Sequence, residues 1–156
     1  MHDPSQKLPS DRREPPDLNG EQPALPRVRR RRLVSWLLVG FWAVVIFALS
    51  SIPGSRLPAI DLPQSDKLVH ALLYGVLAGL LWRALDRTHG RKAAVANALI
   101  AILLATAYGI SDEIHQLWTP LRTADWRDVA ADALGGTLGA VSATLGARCR
   151  LSRRDG

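Results

Sequence analysis

The chain has 156 residues, of which 47% are hydrophobic and 22% charged, a net charge of +6 and a single cysteine, Cys149. One cysteine excludes an intrachain disulfide and a thiolate metal cluster, and the length suits one domain. The basic excess gathers in "RVRRRR" (27–32), directly before an apolar run. No nucleic-acid-binding signature accompanies it, so no nucleic-acid partner is expected, and a basic block so placed anchors the cytoplasmic side of a membrane protein.

Residues 1–32 hold six of the ten prolines and eight of the twenty Lys and Arg, with few large apolar residues. Such a segment buries too little surface to offset its ordering entropy and is expected to be a disordered cytoplasmic tail. "LVSWLLVGFWAVVIFALSSI" (33–52) is free of charge. At about 1.5 Å per residue it spans roughly 30 Å, the thickness of a bilayer's hydrocarbon. A cleaved signal peptide has a shorter apolar core, about 7–15 residues.

"KLVHALLYGVLAGLLWRAL" (67–85) and "AAVANALIAILLATAYGI" (93–110) are the second and third spans, the latter with Asn97 as its one strongly polar side chain. "VAADALGGTLGAVSATLGA" (129–147) is the fourth, rich in small residues and carrying Asp132, and a basic cytoplasmic tail (148–156) follows it. The expected fold is therefore all-α: a four-transmembrane-helix bundle with a disordered, basic N-terminal tail. Lys and Arg in the flanks number 5, 2, 4, 2 and 4 along the chain. That alternation places both termini in the cytoplasm. Trp36 and Trp82 then lie near the inner ends and Trp118 and Trp126 near the outer ends, while Trp42 falls mid-span.

Small residues recur every four positions in span two (Ala71, Gly75, Gly79) and span four (Ala131, Gly135, Gly139, Ala143, Ala147). Lipid provides no hydrophobic drive between helices, so such stripes permit the close backbone approach that does hold them, and spans two and four are expected to pack together.

Three polar stripes run inward from the outer ends. Asp66, His70 and Tyr74 recur at i, i+4 and i+8; Tyr108, Asp112 and Gln116 share that spacing, with Glu113 beside them; Asp125, Asp128 and Asp132 follow at i, i+3 and i+7. Each set occupies one helical face. A closed bundle brings Asp66, His70, Asp112, Glu113, Gln116, Arg122, Asp128 and Asp132 to one outward-facing polar pocket. Plainer readings stand beside this one. Asp66 and Asp125 suit helix N-termini as caps, His70 suits helix packing, and Glu113 and His115 suit a solvated helix end, since they sit where span three leaves the hydrocarbon. Asp132 is different, because a carboxylate inside a span needs a partner or a proton. The carboxylates with His70 could hold a divalent cation, but no H-E-x-x-H, G-x-S-x-G, Walker or Gly-rich nucleotide motif occurs, so neither a metal nor a cofactor is the expectation.

"SDKLVHALLYGVLAG" and "DEIHQLWTPLRTADWRDVAADALGGTLGA" resemble the VanZ-like family of small bacterial membrane proteins. That family runs roughly D-K-x-x-H-x-x-x-Y, then D-E-x-x-Q, an arginine in a short turn, D-x-x-x-N and a Gly-rich span. Asp66, Lys67, His70 and Tyr74 match the first block; Asp112, Glu113, Gln116, Arg122 and Asp128 match the second, and the similarity covers about 33–147. Two positions depart: Asp132 stands where the family has Asn, and Leu121 where it tends to have Gly. The resemblance implies a four-span protein of the bacterial inner membrane. The family's founding member is linked to teicoplanin resistance, which extends to this chain by analogy alone.

Two functions are in view. One is a non-catalytic envelope protein whose pocket binds an anionic lipid head group or lipid-linked cell-wall precursor, with Arg122 and Lys67 as cation partners. The other is a membrane enzyme on such a substrate, with Asp66 orienting His70 as base, Arg122 steadying the anion and Asp112 or Glu113 as acid. A proton-coupled carrier using Asp128 and Asp132 is a further option. The sequence sets no oligomeric state.

Overall fold

A computed structural model describes residues 27–56 and 65–152. Four helices account for almost all of them: α1 (Arg27–Ser50), α2 (Ser65–His89), α3 (Ala94–Gln116) and α4 (Trp126–Ser152), with 3-10 turns at Gly54–Arg56 and Arg91–Ala93. No strand occurs among the described residues. α1, α2 and α3 are long and apolar enough to cross a membrane; α4 has the length, 27 residues, but is not among them. Its charged first turns and small side chains lower its hydropathy.

α1 begins at Arg27, six residues before the apolar run, so the arginines read as part of the tail are helical. Arginine is a good helix former, and the helix continues out of the apolar stretch with no breaker in its path. Likewise α4 runs on to Ser152, through residues expected to start the C-terminal tail. The rest of the expected N-terminal tail, 1–26, lies outside the described residues.

α2 is the centre of the bundle, packed most extensively on α4 and then on α3 and α1. The α2–α4 seam is the expected one. A Cβ on Gly135 would strike the Ala71 carbonyl, one on Gly139 would strike the Gly75 carbonyl, and one on Gly75 would lie 3.0 Å from the Gly135 carbonyl. Hence the two backbones touch, and only glycine fits where they cross. The core around this seam is Tyr74, Leu77, Ala78, Leu81, Trp82 and Leu85 of α2, with Ala101 and Ala105 of α3 and Ala140 of α4.

Trp42, unaccounted for by any interfacial role, donates its indole N–H to the Leu73 carbonyl at 2.9 Å and ties α1 to α2. Leu33, Phe41, Leu103, Leu134 and Leu138 face outward, while Asn97, Asp112, Glu113, Gln116, Asp128 and Asp132 are buried. In water that distribution would be inverted. It suits a chain whose solvent is hydrocarbon, in which polar side chains turn inward to find partners.

Candidate functional site

α2 starts, α3 ends and α4 starts at the same end of the bundle, and their polar stripes meet there. α2 contributes Asp66, Lys67, His70 and Tyr74; α3 contributes Asp112, Glu113 and Gln116; α4 contributes Asp128 and Asp132. The His70 Nδ1 lies 3.0 Å from the Asp132 Oδ1. Asp132 is wholly buried, and its Oδ2 has no hydrogen-bond partner. That oxygen rests on Gly109 of α3, where a Cβ would collide with it. Gly109 is therefore the hole that lets a carboxylate of α4 reach into the bundle. Nothing in the local pattern of "TAYGISDE" singled it out.

Lys67 is the hub of the outer layer. Its Nζ lies 3.0 Å from Asp66 Oδ2, 3.5 Å from Asp125 Oδ2 and 3.2 Å from Asp128 Oδ1. Expected as a cation for a ligand, it is instead committed to three carboxylates. Asp66 also differs from expectation: it holds Lys67, and Asp132 is the carboxylate on His70. With 3.6 residues per turn, Asp66 and His70 share a face, but a partner across a tight seam lies closer than one a turn away.

The Gln116 amide donates to Asp112 Oδ2 at 3.3 Å and to Glu113 Oε1 at 3.4 Å. Glu113 Oε2 accepts the Asp125 backbone N–H at 2.8 Å, so Glu113, buried rather than solvated, ties the end of α3 to the start of α4. Asp125 caps α4: its Oδ1 accepts the Arg127 N–H at 2.9 Å. That hydrogen bond, with Lys67 nearby, holds the Asp125 carboxyl below its ordinary range. Tyr74 is fully buried, its ring 6.2 Å from and nearly parallel to that of His70, and its hydroxyl has no partner. Tyr108 leaves the cluster and donates to the Ala43 carbonyl at 2.8 Å.

Arg122 is not among the acids. Its guanidinium donates to the Ile52 and Leu49 carbonyls at 3.3 and 3.4 Å. It thereby caps the C-terminus of α1, where unpaired carbonyls and the helix dipole favour a cation. The same connection fixes the turn after α1, because Gly54 N–H donates to the Pro120 carbonyl at 3.1 Å and a Cβ on Gly54 would strike Leu121. Leu121 has φ +58°, the left-handed region where the family's usual glycine is at ease. His115 also faces α1, its Nε2 3.0 Å from Ser51 Oγ and its ring against Phe47.

The structure thus gathers Asp66, His70, Asp112, Glu113, Gln116, Asp128 and Asp132, adds Lys67, and sends Arg122 elsewhere. His70, Glu113 and Asp128 each present a ligand atom within 4.8 Å of the other two, a spacing that suits a divalent cation.

No curated protein and no solved structure matches the chain. The family model described as VanZ/LLP1 matches residues 33–147, which contain every residue of the cluster. With a match over most of its length and the D-K-x-x-H and D-E-x-x-Q blocks meeting at one end of the bundle, the chain belongs to the VanZ/LLP1 family of membrane proteins.

Proposed function

We propose that this is a four-span protein of the bacterial inner membrane whose acid cluster forms an outward-facing pocket for the polar head of a lipid-linked envelope precursor, and that it performs acid/base chemistry there. An apolar row on α4, formed by exposed Leu134, Leu138, Val141 and Leu145, supports the fourth span. The alternation of basic flanks supports the orientation. Side-chain exposure falls from 59% at Asp66 through 36% at Asp125 and 23% at Lys67 to 13% at His70, 10% at Asp128 and zero at Asp132, the gradient of a polar entrance.

The observation that carries the reading is the His70–Asp132 pair. Asp132 accepts from Nδ1–H, which fixes the ring and leaves Nε2 as the base. Glu113, with a carboxylate oxygen within 4.8 Å of the His70 ring, serves as the acid. With Lys67 and Arg122 both engaged, the group that enters is a hydroxyl or amine of the precursor rather than its anionic part. The test is mass analysis of lipids carried by wild type, His70→Ala and Asp132→Asn. The expected result is a lipid-linked species bound by all three whose altered product is lost in both variants. Identical lipid profiles would contradict it.

A second reading has its own observation, the convergence of His70, Glu113 and Asp128. Here Asp132 would orient a ligating His70 from behind. Four buried carboxylates against Lys67 and His70 suit an added cation. Elemental analysis should then find about one divalent ion per chain, lost in Asp128→Asn; protein free of metal, and thermally indifferent to chelator and added divalent ions, overturns this reading.

A further inference from the structure

The end of the bundle remote from the acids carries a second site of opposite sign. A cleft of about 490 Å³ opens between α1 and α2, lined by Arg27, Arg30, Arg31, Val34, Leu38, Arg83 and Arg87. On α1 these fall at i, i+3, i+4, i+7 and i+11, a single face; on α2 they are one turn apart. No carboxylate lines the cleft. The ion pairs among the described residues all lie at the other end.

Arg87 has a structural duty: its Nη1 donates to Ser35 Oγ at 2.5 Å and to the Arg31 carbonyl at 3.1 Å. Arg32 Nε donates back to the Arg87 carbonyl at 2.6 Å, and Trp36 Nε1 to Thr88 Oγ1 at 3.3 Å. These bonds set the two helices apart at a fixed spacing and leave Arg27, Arg30 and Arg83 facing one another across it. Asp86 acts on Arg87 from α2, but no carboxylate among the described residues lines the cleft, and cationic groups held together repel most strongly where water is scarce.

We propose that this cleft binds an anionic phospholipid, with the phosphate between the arginines of α1 and α2 and an acyl chain along Val34 and Leu38. Two features choose a lipid over a soluble anion. The apolar run of α1 begins at Leu33, so the arginines stand at the level where phosphates of a bilayer lie. The floor of the cleft toward mid-span is apolar, and Val34 and Leu38 are each 43% exposed, so the surface that continues from the arginines suits hydrocarbon rather than water. Arginine suits the head group because its planar fork bonds two phosphate oxygens at once. This site is independent of the acid cluster and of any chemistry there.

The experiment is titration of the full chain, purified in neutral detergent, with phosphatidylglycerol, cardiolipin, phosphatidylcholine and inorganic phosphate, read by native mass spectrometry. Wild type should bind the anionic lipids, weakening as salt rises, and bind phosphatidylcholine and phosphate far less. R30Q/R83Q should lower that affinity about 10- to 30-fold, as expected for two lost cation–phosphate contacts. R30K/R83K, which keeps the charge and loses the fork, should fall between. Equal binding of phosphatidylcholine, saturation by phosphate alone, or unchanged affinity in R30Q/R83Q would each overturn the proposal. The salt dependence of wild type tests it without any variant.

Discussion

The two ends of this bundle carry charge in opposite ways. At the acid end, Asp112, Glu113, Asp128 and Asp132 are buried and meet Lys67, His70, Gln116 or a backbone N–H across three helices. At the arginine end, guanidinium groups line an open cleft that no carboxylate among the described residues lines. The difference separates two uses of charge in a membrane protein. Surface arginines need only water and phosphates, so they fix position and orientation and recruit lipid. Carboxylates drawn between helices must be satisfied by neighbours, which makes them costly to place and sensitive to geometry. Their arrangement is therefore where chemistry is expected.

That contrast breaks most severely at the seam that creates the acid end. Gly135→Leu should force α2 from α4, because its side chain meets the Ala71 backbone. We expect a loss above about 3 kcal/mol and little folded protein, measured by thermal unfolding in detergent. Retention of wild-type stability would mean that the helices do not touch there.

The seam itself was legible in the sequence, since the small residues of both spans recur every four positions and only close helices need them. The helices and the identity of the polar residues were equally legible, because apolar runs and i, i+4 spacing are local. Pairing was not. Asp66 with His70 is the natural reading along one helix, yet Asp132 reaches His70 through a gap that Gly109 opens on a third helix. Arg122 departs from expectation for the same reason: nothing local to "TPLRT" shows that the end of α1 lies beside it with carbonyls that accept from its guanidinium.

Arg122 sharpens the comparison at intermediate size. Arg122→Ala should cost about 1–2 kcal/mol by uncapping α1, while the lipid profile that we propose depends on His70 and Asp132 stays unchanged. Loss of that profile at full stability would return Arg122 to the site. A smaller effect is expected at the cap of α4. Asp125→Ala should destabilise modestly. Since the folded carboxyl titrates below its ordinary range, the stabilisation it gives is present above about pH 4 and lost as pH falls through the lowered value. The wild-type and Asp125→Ala unfolding curves should converge in acid; a gap that persists there would contradict the cap.

Smallest of all is Leu121→Gly. Leu121 is 80% exposed, so no burial is lost, and its left-handed backbone costs about 1–2 kcal/mol that glycine does not incur. Glycine's greater freedom in the unfolded chain offsets about 0.4–1 kcal/mol of that. A gain of up to about 1 kcal/mol is expected, and a loss would show that the turn does not need a positive φ.

The most direct measurement is a double-mutant cycle on His70 and Asp132, with stability measured for His70→Ala, Asp132→Ala and the pair, and the same cycle run on Asp66 and His70. Contact across the α2–α4 seam calls for a coupling of about 1–3 kcal/mol for His70 with Asp132, and additivity within about 0.5 kcal/mol for Asp66 with His70. Additive His70 and Asp132, or coupling confined to Asp66, would contradict the account.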